Sequence, residues 1–286
     1  MVKAYMSKQK SSQDWSTGRG ERWCAHLASM EAMLAPVMFP LFNALQVTAP
    51  CRIADVGCGG GGTSLALLRS APPGTSVDGY DISPALVAAA RSRLVAADPG
   101  RVRFQVADVG SFLPEEPYDR LVSRFGIMFF ADEEAAFANL LRWLRKGERF
   151  AFAVWGPSDE NPWITEVGQQ VASLVELDRP DPQGPGPFRY GSPEGLLSFL
   201  TKAGADRLEI TPWRGELAIG GGLDPDGAAR FALSAFSSFA QALDQAGPIV
   251  AAQAQQALAD HFQTRVRDGV VWSDAAVHIL SGVRKR

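Results

Sequence analysis

The sequence predicts an α/β domain built on a mostly parallel seven-stranded sheet flanked by helices. Three observations carry that prediction. Short apolar runs alternate with helical stretches between Cys51 and Trp155, the rhythm of βαβ units. Five glycines crowd positions 57–62, where the first strand meets its helix. Three successive strands each close on an aspartate, Asp55, Asp81 and Asp108, at nearly even spacing.

The elements follow in order. Residues 1–20 read as a polar, mobile lead-in. From Glu21, Trp23, Leu27, Met30 and Leu34 recur at helical spacing and give one apolar face, with Pro36 and Pro40 as punctuation. Residues 1–50 thus read as an N-terminal helical cap. Arg52–Val56 is the first strand, and Thr63–Ser70 is the helix after the glycines. Ser76–Tyr80 is the second strand; Ser83 and Pro84 then supply an N-cap and first-turn proline for a helix from Ala85 to about Ala97. Val102–Val106 and Tyr118–Phe125 are the third and fourth strands. A helix from about Glu133 to Arg145 has Asp132 as its cap and Gly147 as its stop. Arg149–Trp155 is apolar at nearly every position, which suits a strand covered on both faces. Five prolines and three glycines within 178–193 predict a loop. Gly195–Lys202 reads as a helix, Arg207–Thr211 as a strand, Gly227–Leu243 and Ile249–Arg267 as helical, and 275–283 as the last strand. Residues 51–286 therefore form one domain, with 156–192 and 214–269 as insertions, the second of them helical and set before the last strand.

Composition narrows the function. The 286 residues are 46% hydrophobic and 21% charged, an ordinary globular balance, with a formal net charge of −3. No basic surplus is available to neutralise phosphates, so nucleic acid is not an expected partner. The longest uncharged stretch, Ala32 to Cys51, is broken by Pro36, Pro40 and Pro50, so no membrane span is expected. The three cysteines form no CxxC pair, and no His/Cys cluster has metal-ligand spacing, so no metal site is expected. With no export signal at the N-terminus, the expected location is the cytoplasm. A homo-oligomer stays open.

The glycine cluster lets backbone approach a ligand without an intervening Cβ. Gly57, Gly59 and Gly62 alone also satisfy a dinucleotide fingerprint. Asp55 argues otherwise, because a carboxylate at the strand tip repels a pyrophosphate and suits an ammonium or sulfonium. Asp81 can accept from both hydroxyls of a ribose. Asp108 can accept from an adenine amino group. All three belong to the carboxyl edge of the sheet, where open α/β folds bind ligands.

At Asp55-Val56-Gly57-Cys58-Gly59-Gly60-Gly61, Gly79-Tyr80-Asp81-Ile82-Ser83, Ala107-Asp108-Val109 and Tyr118–Phe125 the chain resembles the class I S-adenosylmethionine-dependent methyltransferases, over about 52–155. Ser123–Phe130 looks closest to the bacterial branch similar to the ubiquinone/menaquinone-biosynthesis enzymes. Leu144–Glu148 departs from that family's usual Pro-Gly-Gly turn. The resemblance implies a Rossmann-like fold and S-adenosyl-L-methionine as cofactor. It implies that Gly57, Cys58 and Gly59 pass under the methionine part and that Asp55 helps hold its amino group. Asp81 would take the ribose, Ile82 would pack on the adenine, and Asp108, with Val109, would take the adenine amino group. Ser123 and Arg124 would lie near the methionine end, Arg124 toward the transferred methyl.

Methyl transfer asks chiefly for alignment, with a general base where a hydroxyl must lose its proton. His26, beside the Trp23–Leu27–Met30 face, is the first candidate base. Phe125, Phe129, Phe130, Trp155 and Trp163 can line an apolar acceptor pocket. The expected function is methyl transfer to a small, partly apolar acceptor, at oxygen before nitrogen or carbon. A nicotinamide-dependent oxidoreductase and a non-catalytic cofactor-binding module remain as alternatives.

Overall fold

A computed structural model describes residues 15–16, 18–94, 100–177 and 184–286. Seven strands lie side by side: β1 (Arg52–Val56), β2 (Ser76–Asp81), β3 (Val102–Val106), β4 (Tyr118–Arg124), β5 (Leu144–Trp155), β6 (Ala205–Ala218) and β8 (Val270–Arg284). Their order across the sheet is β3-β2-β1-β4-β5-β8-β6. The pairs from β3 to β5 are parallel, and β8 runs antiparallel to both β5 and β6. Five parallel strands send their carboxyl ends to one edge. The chain reverses its direction of winding between β1 and β4, and the crevice for a ligand opens there.

The expected strand count is one short. An eighth strand, β7 (Val266–Arg267), pairs with the start of β8 through Asp268-Gly269. Both turn residues have positive φ, 51° and 78°, the backbone that an Asp-Gly hairpin demands. That dipeptide directly follows the stretch expected to be helical, whose last two residues form β7 instead.

The helices of the first half are α1 (Gly18–Ala25), α2 (Leu27–Met33), α3 (Met38–Leu45), α4 (Gly62–Ser70), α5 (Pro84–Ser92) and α6 (Glu133–Trp143). Those of the second half are α7 (Pro162–Ala172), α8 (Glu194–Lys202), α9 (Pro225–Ala235), α10 (Ser237–Ala246) and α11 (Pro248–Gln263). Ser83 caps α5 through Leu86 N and Asp132 caps α6 through Ala135 N, as their positions before helical runs predict. The expected end of α5 near Ala97 lies outside the described residues. The helix α3 packs on β4, β5 and β8, α4 and α5 on β2 and β3, and α8 on β6. Val56, Leu121, Phe150 and Leu280 are fully buried between these layers.

Several boundaries differ from expectation, each for a local reason. The apolar stretch from Trp23 to Leu34 is not one helix but parts of α1 and α2, broken at His26, where φ −109° and ψ 15° leave the helical region. Of the expected lead-in, residues 1–14 and 17 lie outside the described residues, while Trp15 packs edge-on against Trp23 and Phe129, at 5.9 and 4.9 Å between ring centres. Helix α6 stops at Trp143, and Gly147 (φ 82°) serves inside β5, where the register against β4 shifts between Tyr118 and Arg120. Strand β6 runs past Pro212 and Gly215 to Ala218, because an edge strand tolerates a residue without an N–H. One expected helix is two, α9 and α10, parted by the extended Phe236.

Candidate functional site

The carboxyl ends of the parallel strands frame a cavity of about 470 Å³. Its floor is the glycine turn. The N–H groups of Gly57 and Cys58 both donate to Tyr80 O, at 2.8 and 3.0 Å, which pins the turn to the end of β2. At Gly57 (φ 69°) a Cβ would stand 2.8 Å from Gly126 Cα, so two backbones touch there. At Gly59 (φ 53°) a Cβ would meet nothing within 4 Å; the space above that residue is open cavity.

Asp81 is the hinge of this floor. Its Oδ2 accepts from Gly59 N at 2.8 Å and its Oδ1 from Ser83 N at 2.9 Å. Burial pushes its carboxyl above the ordinary range, against the pull of those backbone donors. Asp81 and Ile82 line the cavity, as do Asp108 and Val109 beyond β3. Asp108 Oδ1 accepts from Gly110 N at 2.9 Å, and that side chain is exposed at the rim.

Arg124, at the tip of β4, faces the same space. Its Nε donates to Thr63 Oγ1 and its Nη1 to Leu34 O, both at 3.0 Å. No carboxylate among the described residues pairs with it. Burial lowers its pKa while Glu31 and Asp55, at longer range, raise it. A guanidinium keeps its charge under such conditions, so Arg124 presents a buried cation to the cavity.

Three expected site residues are not brought to the cavity wall. Asp55 sits behind the glycine turn, 1% exposed, with Oδ2 accepting from Ser64 Oγ at 2.6 Å. Its Oδ1 is buried and has no partner among the described residues, and burial pushes its carboxyl up to about 6. Ser123 donates from Oγ to Val56 O at 2.6 Å, tying β4 to β1. His26 turns toward α9, where its ring meets Phe231 edge-on at 5.7 Å. Burial, then Arg22, lowers its pKa. It is out of reach of the cavity, because the helix break rotates it off the Trp23–Leu27–Met30 face.

The cap closes the cavity over the glycines. Leu27 lies so close to Gly60 that a Cβ there would meet its side chain at 2.3 Å. Glu31 pairs with Arg93 at 2.7 Å, and the same Nη1 donates to Gly60 O at 2.6 Å. Trp15, Arg19 and Glu31 line the cavity, and residue reading missed all three. The Trp15–Trp23 spacing, two turns apart, was the available signal.

The remaining walls are rings. Phe125 stacks on Trp155 at 4.2 Å and 13°, Trp155 meets Trp163 at 4.6 Å, and Trp163 meets Phe236 at 5.5 Å. All four line the cavity, as do Phe129 and Phe130. Ser237, at the start of α10, lines it too, and its Oγ is buried with no partner among the described residues. None of the residues that line the cavity from Trp155 onward is charged. Arg19 lies over the Trp15 ring, Glu31 beside Gly62, Asp81 and Asp108 at their strand tips, and Asp132 at the head of α6. Arg124 marks the junction between the two halves.

Residues 53–147 match the family described as a methyltransferase domain. The trans-aconitate 2-methyltransferase of Streptomyces coelicolor is 32% identical over 169 residues, 57% of this chain and 54% of that one. The ubiquinone/menaquinone biosynthesis C-methyltransferase of Geobacter sulfurreducens is 32% identical over 101 residues, 34% of this chain and 39% of its own. The crystal structure of the YcgJ protein from Bacillus subtilis superposes with a TM-score of 0.58 at 17% identity, covering 88% of this chain and 99% of that one. The chain thus spans about half the length, or less, of the curated relatives it matches. S-adenosylmethionine, the cofactor of such domains, fits what is present: open space above Gly59, a buried cation at Arg124 with no paired carboxylate among the described residues, and acceptors at Asp81 and Asp108. Over residues 53–147 the chain carries a methyltransferase domain, and it is similar to class I S-adenosylmethionine-dependent methyltransferases, the ubiquinone/menaquinone-biosynthesis enzymes among them.

Proposed function

We propose that the protein transfers a methyl group from S-adenosylmethionine to a small, partly apolar acceptor, at oxygen, in the cytoplasm. One observation carries this reading. A single cavity joins the glycine floor and its carboxylates to a ring-lined space beyond Arg124, so donor and acceptor can share one enclosure.

Asp81 would accept from the ribose hydroxyls with the lone pairs that Gly59 N and Ser83 N leave free. Ile82 and Val109 would cover the adenine, and Asp108 would accept from its amino group. Arg124, which the sequence places near the transferred methyl, has the charge and position for the methionine carboxylate. Asp55, one layer deeper, and Glu31 supply negative charge for the amino group.

The cofactor brings an electrophilic methyl on a sulfonium, and the products are S-adenosylhomocysteine and the methylated acceptor. The acceptor oxygen forms the new bond as the S–CH3 bond breaks, and its proton leaves to solvent. No histidine among the described residues lines the cavity, so this chain's contribution is to hold, orient and exclude water. An oxygen that ionises by itself suits such a site. The cap at 1–50 and the segments 156–192 and 214–269 would shape the acceptor side.

Thermal shift with S-adenosylmethionine, S-adenosylhomocysteine and NAD tests the cofactor. A ligand at 100 times its Kd adds about 2.7 kcal/mol. Stabilisation by NAD alone would overturn the proposal. An acceptor panel read by release of S-adenosylhomocysteine tests the activity.

A further inference from the structure

We infer that the acceptor is a flat, aromatic or conjugated molecule whose ring system enters the Trp155–Trp163–Phe236 slot without charge, with one polar group directed at Ser237. The inference rests on the methyl-transfer reading and adds the acceptor's chemical class. Four rings in contact line the slot, and Trp163 has no hydrogen-bond donor to spare, because its Nε1 donates to Asn161 Oδ1 at 3.0 Å. Asn161 in turn accepts from Ala276 N and donates to Pro157 O, so the ring is fixed in place. A rigid wall of flat faces selects a flat guest by offset stacking.

Charge selects as well. Among the described residues that line the cavity, none from Trp155 onward carries a charge, and the buried cation that lines it is Arg124 at the tip of β4. A single ionised oxygen can be methylated at the junction that Arg124 marks. A guest bearing further carboxylates would have to bury them among rings with no cation to meet them, which is costly. Trans-aconitate, the acceptor in the name of one relative, is a tricarboxylate and suits the slot poorly. Among the described residues that line the cavity from Trp155 onward, Ser237 Oγ is a buried polar atom without a partner, and it fits one carbonyl or hydroxyl on the guest's far side.

The test uses the full chain, with 1-naphthol, 1,5-dihydroxynaphthalene, naphthalene and trans-aconitate titrated in the presence and absence of S-adenosylhomocysteine, followed by calorimetry and tryptophan fluorescence. 1-Naphthol should bind and quench, with trans-aconitate at least tenfold weaker. Phe236→Ala and Trp163→Leu should each weaken 1-naphthol by about tenfold and leave S-adenosylhomocysteine affinity unchanged. Phe236 is half-buried at a helix junction, so its variant keeps the test alive should Trp163→Leu fold poorly. Ser237→Ala should weaken 1,5-dihydroxynaphthalene, whose second hydroxyl reaches Ser237 when the first lies at the junction, and leave 1-naphthol and naphthalene unchanged. Trans-aconitate binding as tightly as 1-naphthol, or 1-naphthol indifferent to both ring variants, overturns the inference. Loss of S-adenosylhomocysteine binding with 1-naphthol still seated would instead count against the cofactor reading alone.

Discussion

Replacing Arg124 by methionine separates two ligands that differ only at one end. S-adenosylhomocysteine carries a carboxylate and an ammonium; 5′-methylthioadenosine keeps the nucleoside and the sulfur and lacks both. In the free protein Arg124 has two neutral partners, Leu34 O and Thr63 Oγ1, and no paired carboxylate among the described residues. A bound carboxylate would give it a charge-assisted bond in a water-poor site, worth about 1.5–3 kcal/mol, or roughly 10- to 150-fold in affinity. Arg124→Met should cost S-adenosylhomocysteine that factor and leave 5′-methylthioadenosine nearly unaffected in calorimetry. Folding should change little. The variant loses two hydrogen bonds worth about 1 kcal/mol each, and it also removes the cost of burying an unpaired charge. Equal weakening of both ligands would mean that the cavity had collapsed. Equal affinity of parent and variant for S-adenosylhomocysteine would refute the assignment and return Arg124 to the acceptor.

Asp81→Ala should weaken both ligands by about 1.5–3 kcal/mol through the lost ribose contacts, read by the same calorimetry, and an unchanged Kd would count against the ribose site. Gly59→Val should abolish binding, because the space its side chain would enter is the cofactor's; a variant that binds normally sinks the floor assignment. His26→Ala should keep turnover within about threefold of the parent, against a loss of ~10²–10⁴ for a true general base. Asp55 has a folded pKa of about 6, above its ordinary 3.8. A raised carboxyl contributes stability below pH 3.8 that is lost as pH rises through about 6, amounting to about 3 kcal/mol at most. Denaturant titrations should therefore show Asp55→Asn losing less stability than the parent between pH 4 and 7, and parallel curves would contradict the shift.

Much of the sheet was legible because each early strand announces itself twice, by an apolar run and by what ends it. The Ser83-Pro84 cap places the end of β2 to within a residue, and the glycine cluster does the same for β1. The strand tips then line up because parallel strands share an edge, so Asp81 and Asp108 reach one cavity from positions 27 apart. Burial depth was not legible. Asp55 and Ser123 belong to the right strands, yet their side chains turn behind the glycine turn, where Ser64 and Val56 O take them. Helix breaks were not legible either. Nothing at His26 or Phe236 is a glycine or proline, and tertiary contacts bend the chain there: the two rings close against Phe231 and Trp163. Those two breaks decide which face each helix gives the cavity. One removed a candidate base, and the other delivered Ser237.

The contacts that close the cap are made on the cofactor floor itself. Leu27 presses on Gly60, Glu31 and Arg93 meet above Gly60 O, and Arg124 reaches from β4 to Leu34 O at the end of α2. A ligand resting on Gly59 and bonded to Arg124 therefore acts on the same groups that hold the cap. Any preference of the ligand for the closed cap is matched by an equal preference of the cap for the bound state, because the coupling is reciprocal. The same cavity is lined by that cap and by the start of α10, which packs on α11. Donor binding thus sets one wall of it before the acceptor arrives. Under the proposed function, an ordered sequence, cofactor first, would follow from where the cap is fastened rather than from any property of the acceptor.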